Sequence, residues 1–281
     1  MSTNCSLFTP VVCGYMRQRI LKIGCPAAEA ALRLVGVKPP EVLMLLGHMR
    51  SGSTLLLHLL INHELISGLG ERCAFYRSPA DLAKFAVATR VKRRLPLARL
   101  RYVVDQINHT RFTPDIALLR HRRLRLLFLI RKPIASVSSL LALAGTRGPS
   151  WSVTESVDYY VERLDSLTRM ARSLPAHAPA AFIQYEDMVE NPRELLSRLQ
   201  STLEIEPAFS ETYRLHEFTG KSGDPGPNIL SGRIRDTGPL AHPDLPKEEL
   251  ERARRAHANC LEAMAPFELM RGARKLMTDT H

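Results

Sequence analysis

Three short apolar runs punctuate the chain: VLMLL (42–46), LRLLFLI (124–130) and AFIQY (181–185). They are apolar without alternation, as in strands covered on both faces of a sheet. A helical stretch follows each. The first leads through a glycine turn into a helix from about 54 to 62, and the second through RKP into a helix over 134–144. The third leads through EDMVENP, read as a turn, into a helix over 193–203 that Pro192 opens in its first turn. Strands that alternate with helices predict an α/β domain with a mostly parallel central sheet.

The stretches between these units are less regular. Residues 11–36 mix basic and apolar positions at helical spacing, break near Gly24 to Pro26 and end in VKPP, which predicts a helical preface. The predicted division is therefore a preface over 1–38 and a single α/β domain over 39–281. The basic segment 88–104 is expected to be helical, the Gly/Pro-rich stretch 220–238 a long ordered loop, and the charged tail a helix from about 247.

Composition narrows the class. The chain has 281 residues, 45% of them hydrophobic and 24% charged, which fits a globular domain with an ordinary core. No apolar run is long enough to span a bilayer and no early segment has the pattern of a secretory signal, so the expected location is the cytoplasm. Five scattered cysteines without a C-x-x-C pair argue against a disulfide framework or a zinc site. The net charge of +11 favours an anionic partner: a nucleotide, an acidic membrane surface met by the basic N-terminal segment, or nucleic acid. Aromatic residues make up 6% and do not interleave with a basic stripe, which speaks against nucleic acid.

The stretch LLGHMRSGSTLLLHLL (45–60) specifies the chemistry further. Gly47 ends an apolar strand, Gly52 follows four residues after it, and Thr54 supplies a hydroxyl at the start of a helix. Backbone N–H groups and a helix N-terminus arranged this way bind phosphate-like anions. In an ATP- or GTP-binding loop a lysine follows the second glycine; here that position is Ser53, and the nearest cation is Arg50. A magnesium-dependent NTPase also needs an acidic residue at a neighbouring strand end. The run 124–130 ends instead in Arg131 and Lys132. Cations at two strand ends, with no metal required, suit a nucleotide that carries phosphates at two separate positions.

At these residues the chain resembles the sulfotransferases. MRSGSTLL (49–56) is similar to their 5′-phosphosulfate loop, RKPIASVSS (131–139) to their 3′-phosphate segment, and YEDMVENP (185–192) to a third frequent signature. The resemblance spans about residues 42–235 and implies a P-loop NTPase-like three-layer fold. Its implied cosubstrate is 3′-phosphoadenosine-5′-phosphosulfate (PAPS), with adenosine 3′,5′-bisphosphate (PAP) as product. Arg50, Ser51, Gly52, Ser53, Thr54 and Leu55 would wrap the 5′-phosphosulfate, Arg131 and Ser139 would hold the 3′-phosphate, and Tyr185 would contribute from the third signature. Lys221 and Arg233 fall in a segment resembling the family's flap over the nucleotide. Lys132 departs from the Asp or Asn that usually follows the arginine.

The resemblance also implies the chemistry: in-line sulfuryl transfer to a hydroxyl of a lipid, carbohydrate or small-molecule acceptor, with Arg50 a candidate to stabilise the leaving group. The G-E pair in HELISGLGER (63–72) makes Glu71 the first candidate base, and His109 the second. His48, inside the loop, is a third, though it more readily fits a role in shaping the acceptor mouth. Gln106 stands where relatives often carry a catalytic lysine. The competing readings are a P-loop kinase or NTPase, and a non-catalytic basic module that binds nucleotide or membrane.

Overall fold

The computed structural model describes residues 38–93, 100–147, 151–219, 226–235 and 245–270. The N-terminal preface lies outside the described residues.

A five-stranded, all-parallel sheet forms the centre. Its strands are β1 (Glu41–Leu46), β2 (Ile66–Gly68), β3 (Tyr102–Ile107), β4 (Leu124–Ile130) and β5 (Ala180–Gln184), arranged β2-β3-β1-β4-β5. The helices are α1 (Ser53–Ile61), α2 (Pro79–Arg93), α3 (Pro133–Arg147), α4 (Val153–Arg172), α5 (Tyr185–Glu190), α6 (Pro192–Leu203), α7 (Pro227–Leu230) and α8 (Lys247–Met264). The expected α/β architecture and three apolar strands are present.

The pleat explains the unbroken apolar runs. Along β1, Val42, Met44 and Leu46 join a core containing Leu82 and Phe85 of α2, Val137 of α3, Leu164 of α4 and Ala253 of α8. Leu43 and Leu45 point the other way, into a core with Leu56 and Leu60 of α1 and Leu195 and Leu199 of α6. Helix α1 is itself covered on its outer side, since Tyr213 and Ile229 belong to the same core. That double cover accounts for a helix that is apolar nearly all round.

Two readings need correction. The segment 88–104 is not one helix: α2 ends at Arg93 and β3 begins at Tyr102, in the interior of the sheet. Polar Asp105 and Gln106, both buried, interrupt its apolar pattern, so periodicity hides the strand. The three-residue β2 is too short to have a period. EDMVENP is largely helical: α5 runs to Glu190, and Asn191 (φ −132°, ψ 54°) leaves helical geometry because Pro192 follows.

One side chain joins the ends of the two central strands. Arg163, on α4, is fully buried, with its Nε donating to the Gly47 carbonyl (2.8 Å), Nη2 to the Ile107 carbonyl (2.8 Å) and Nη1 to the Thr113 hydroxyl (3.1 Å). Burial lowers its pKa to about 10, which still leaves it charged at neutral pH. Arg163→Met keeps much of the volume but orphans the buried Gly47 carbonyl, at about 1–3 kcal/mol, while the Ile107 carbonyl keeps the Gly47 N–H (3.2 Å). The expected result is a matching fall in unfolding free energy, measured by urea denaturation, with far-UV circular dichroism unchanged before the transition.

Candidate functional site

The loops that leave β1 and β4 sit side by side and lead to opposite faces of the sheet, into α1 and α3. A crevice at such a reversal of strand order is where open parallel sheets bind ligands. Gly47 lets the first loop turn over the strand ends: a Cβ there would lie 2.8 Å from the Ser51 hydroxyl and 3.2 Å from Asn108 Oδ1. Arg50 (φ 66°) and Gly52 (φ 88°) take left-handed conformations on either side of Ser51. That alternation is the backbone geometry of an anion-binding nest. Helix α1 then starts with no side-chain cap and no acid in its first turn. Ser51, Ser53, Thr54 and Leu55 are buried, and the Ser51 hydroxyl has no hydrogen-bond partner among the described residues. The buried, unpaired hydroxyl suits a cradle whose oxygens come from a ligand.

Cations gather at the neighbouring strand end. The Arg50 Nε donates to Ser139 Oγ at 2.8 Å, and Arg131 Nη1 donates to the Arg50 carbonyl at 3.3 Å. The Arg131 guanidinium stacks on the Tyr185 ring, 4.2 Å from its centroid. The same ring covers Gly52, where a Cβ would fall 2.3 Å from Tyr185 Cδ2. Arg50, Arg131, Ser139, Tyr185 and the loop therefore form one cluster. Its surprise is the direction of Arg50, which reaches toward Ser139 instead of the start of α1. Lys132 is exposed, and its backbone N–H is held by Glu186 (3.0 Å).

His48 locks the two loops together. Its Nε2 accepts the Arg131 N–H (3.2 Å) while Nδ1 donates to the Met49 carbonyl (2.8 Å), which defines the tautomer. The ring is fully buried, and desolvation lowers its pKa to about 3. His48 is thus a neutral strut between the two loops. Tyr159 and Tyr160 brace the same loops: the Tyr159 hydroxyl accepts from Met49 N–H (2.8 Å) and donates to the Asn108 carbonyl (2.9 Å), and the Tyr160 hydroxyl donates to the Arg131 carbonyl (2.8 Å). Sequence reasoning missed Arg163 altogether.

The two foremost candidate bases are neighbours. Glu71 Oε1 lies 3.8 Å from His109 Nε2, with the carboxylate side chain only 14% exposed. Desolvation, followed by the charge of Asp105, raises the Glu71 pKa to about 7, against hydrogen bonds from the Asn108 backbone and side chain. Burial lowers His109 to about 4. Near neutrality the carboxyl group, not the imidazole, is the one exchanging its proton. Beyond the cradle, Lys221 lies outside the described residues, and Arg233 is exposed on a backbone bridge to Thr212. Among the described residues, no three His, Cys, Asp or Glu side chains group to hold a metal, and no helix is long and apolar enough to cross a membrane.

Comparison with known proteins agrees with this geometry. Residues 101–211 match the sequence model of the sulfotransferase family. That segment carries His109, Arg131, Ser139, Tyr159, Arg163 and Tyr185, while the cradle and Glu71 precede it. A search of curated proteins finds no match. Among solved structures, sulfotransferase STF9 from Mycobacterium avium superimposes with a TM-score of 0.51 at 12% identity, over 85% of this chain and 81% of its own. The sulfotransferase domain from the curacin biosynthetic pathway gives 0.45 at 18% identity, over 79% and 98%. Retinol dehydratase in complex with retinol and PAP gives 0.43 at 12%, over 84% and 86%. The fold is that of STF9, and the sulfotransferase family match covers residues 101–211 of this chain.

Gly52→Ala tests the cradle directly. A left-handed φ and a collision with Tyr185 predict a loss of about 1–3 kcal/mol of stability, visible as a lower urea midpoint. Tyr185→Ala in the same chain should restore part of that loss, because it removes the ring that the new methyl meets.

Proposed function

We propose that the protein transfers the sulfuryl group of PAPS to the hydroxyl of a small-molecule, carbohydrate or lipid acceptor, with Glu71 as the base. The observation that carries this reading is the joining of two anion sites, the uncapped nest at 50–55 and the Arg50–Arg131–Ser139 cluster, through Tyr185 and His48. A nucleotide with groups at both ends of its ribose matches such a pair; a magnesium-bound triphosphate does not call for cations at the end of β4.

In this reading the backbone N–H groups of the nest, the N-terminus of α1 and the Ser51 hydroxyl hold the 5′-phosphosulfate. Their dipoles stabilise charge that grows on the sulfuryl oxygens and the bridging oxygen during in-line displacement. Buried and charged, Arg163 adds positive potential from beneath the loop. Arg131 and Ser139 hold the 3′-phosphate, with Arg50 between the two sites, able to serve the leaving group if it turns from Ser139. Glu71 accepts the acceptor's hydroxyl proton as the oxygen–sulfur bond forms and the bond from sulfur to the bridging oxygen breaks. Neutral His109, beside it, orients the carboxylate or the incoming hydroxyl. Arg233 and Lys221 would close over the nucleotide from the later segment.

Calorimetric titration with PAP, and with ATP in the presence and absence of magnesium, tests the donor site. PAP should bind without magnesium, and Arg131→Ala should weaken it by about 1.5–3 kcal/mol, the scale of a hydrogen-bonded charge. Preference for magnesium-ATP would support the kinase reading instead.

Catalysis has its own signature. The base works only when ionised, so kcat/KM should rise with pH as a single titration near pH 7 and level off above it. Glu71→Gln should lower kcat about 10²–10⁴-fold while PAP affinity stays the same. A profile that follows a group near pH 4 would point to His109.

A further inference from the structure

Glu71 comes from a segment, 69–77, that forms no helix or strand. Something else must hold it to within the few tenths of an ångström that proton transfer requires. Asp105, on β3, is fully buried and grips this segment at two points after Glu71. Its Oδ1 accepts the backbone N–H of Arg72 (3.4 Å), the residue that follows Glu71, and that of Gln106 (3.0 Å). Its Oδ2 accepts the hydroxyl of Tyr76 at 2.5 Å, and Tyr76 is itself buried against Phe85, their ring centroids 6.0 Å apart. The Arg72 guanidinium lies 4.9 Å from the centroid of that same Phe85 ring.

We propose that Asp105, through Tyr76 and the Arg72 N–H, is a positioning residue that holds Glu71 at the reaction centre. The proposal rests on the reading of Glu71 as base. A neutral acceptor at position 105 could tether the segment equally well. A carboxylate there brings a second negative charge toward the base, and like charges at one site favour the protonated form of one of them. The other groups acting on Glu71 come from every side: Asn108 and His109 after β3, and Tyr159 and Arg163 from α4. Asp105 adds to these the charge of a neighbouring carboxylate, which opposes ionisation of Glu71.

The test follows the carboxyl carbons of Glu71 and Asp105 by ¹³C NMR across pH in the full chain, with Glu71→Gln for assignment. It needs neither donor nor acceptor. In the wild type, the Asp105 resonance should show an inflection at the Glu71 midpoint, and its absence would overturn the coupling. In Asp105→Asn the Glu71 midpoint should fall by about one pH unit. Tyr76→Phe, which removes one tether and keeps the carboxylate, should lower it by less. The pH–rate midpoint should move with it, whereas a merely structural Asp105 would cost stability and leave both midpoints in place. If the carboxylates titrate together but PAP does not bind, the pair stands and the donor reading falls. If PAP binds and the midpoints never move, the reverse holds.

Discussion

Everything at this site hangs on a single buried guanidinium. The Ile107 carbonyl at the end of β3 accepts the N–H of Gly47, the residue after β1, at 3.2 Å. Arg163 reaches from α4 to that same carbonyl and to the Gly47 carbonyl. A charged group placed in the interior is costly unless its donors are used, and here all three nitrogens donate. One side chain therefore fixes the height of Gly47, where the cradle begins, relative to Ile107, where the segment carrying Asn108 and His109 begins. The cradle and the base share a foundation, and the foundation carries a positive charge.

From that base the two proposed anion sites are built as one unit rather than as two independent loops. His48 spans the loops after β1 and β4 through a single neutral ring, and Tyr159 and Tyr160 repeat the connection from α4. Tyr185 lies between a glycine and an arginine that belong to different sites. A ligand that bridges the sites meets a spacing already set by these struts. Little ordering of the loops is left to oppose binding, and preorganised dipoles are the main contribution a protein can make to sulfuryl or phosphoryl transfer.

How much of this could be read beforehand depended on how locally each feature is encoded. The cradle is contiguous, so Gly47, Gly52 and Thr54 declare it by spacing alone, and Arg131 declares the second site by ending an apolar run. The neighbourhood of Glu71 and His109 is different. It exists because β2 pairs with β3, a pairing made by a three-residue strand and by a strand whose polar end resembles a loop. Arg163 escapes notice for a related reason. It lies in a helix rich in charges, where an arginine is expected to face water, and only the packing of α4 over the strand ends turns it inward. Tyr185 was found by motif, but that it covers Gly52 follows from tertiary contact.

The polar end of β3 also explains why the sheet interrupts its own apolar logic there. Asp105 and Gln106 occupy positions that a more stable core would give to valine or leucine. Their two side chains point to opposite faces, Asp105 toward the segment that carries the base and Gln106 toward the side of α1. Burying a carboxylate raises its own pKa, here to about 6, and the hydrogen bonds from Tyr76 and two backbone N–H groups only partly offset that. The folded state thus holds protons on Glu71 and Asp105 that an unfolded chain would release between their ordinary values and neutrality. Stability from these two groups falls as pH rises through that window. The same rise in pH ionises Glu71. The proposed base thus gives up stability where it would gain activity, and the hydrogen bonds that Glu71 accepts from Asn108 and Asp105 from Tyr76 lessen that exchange.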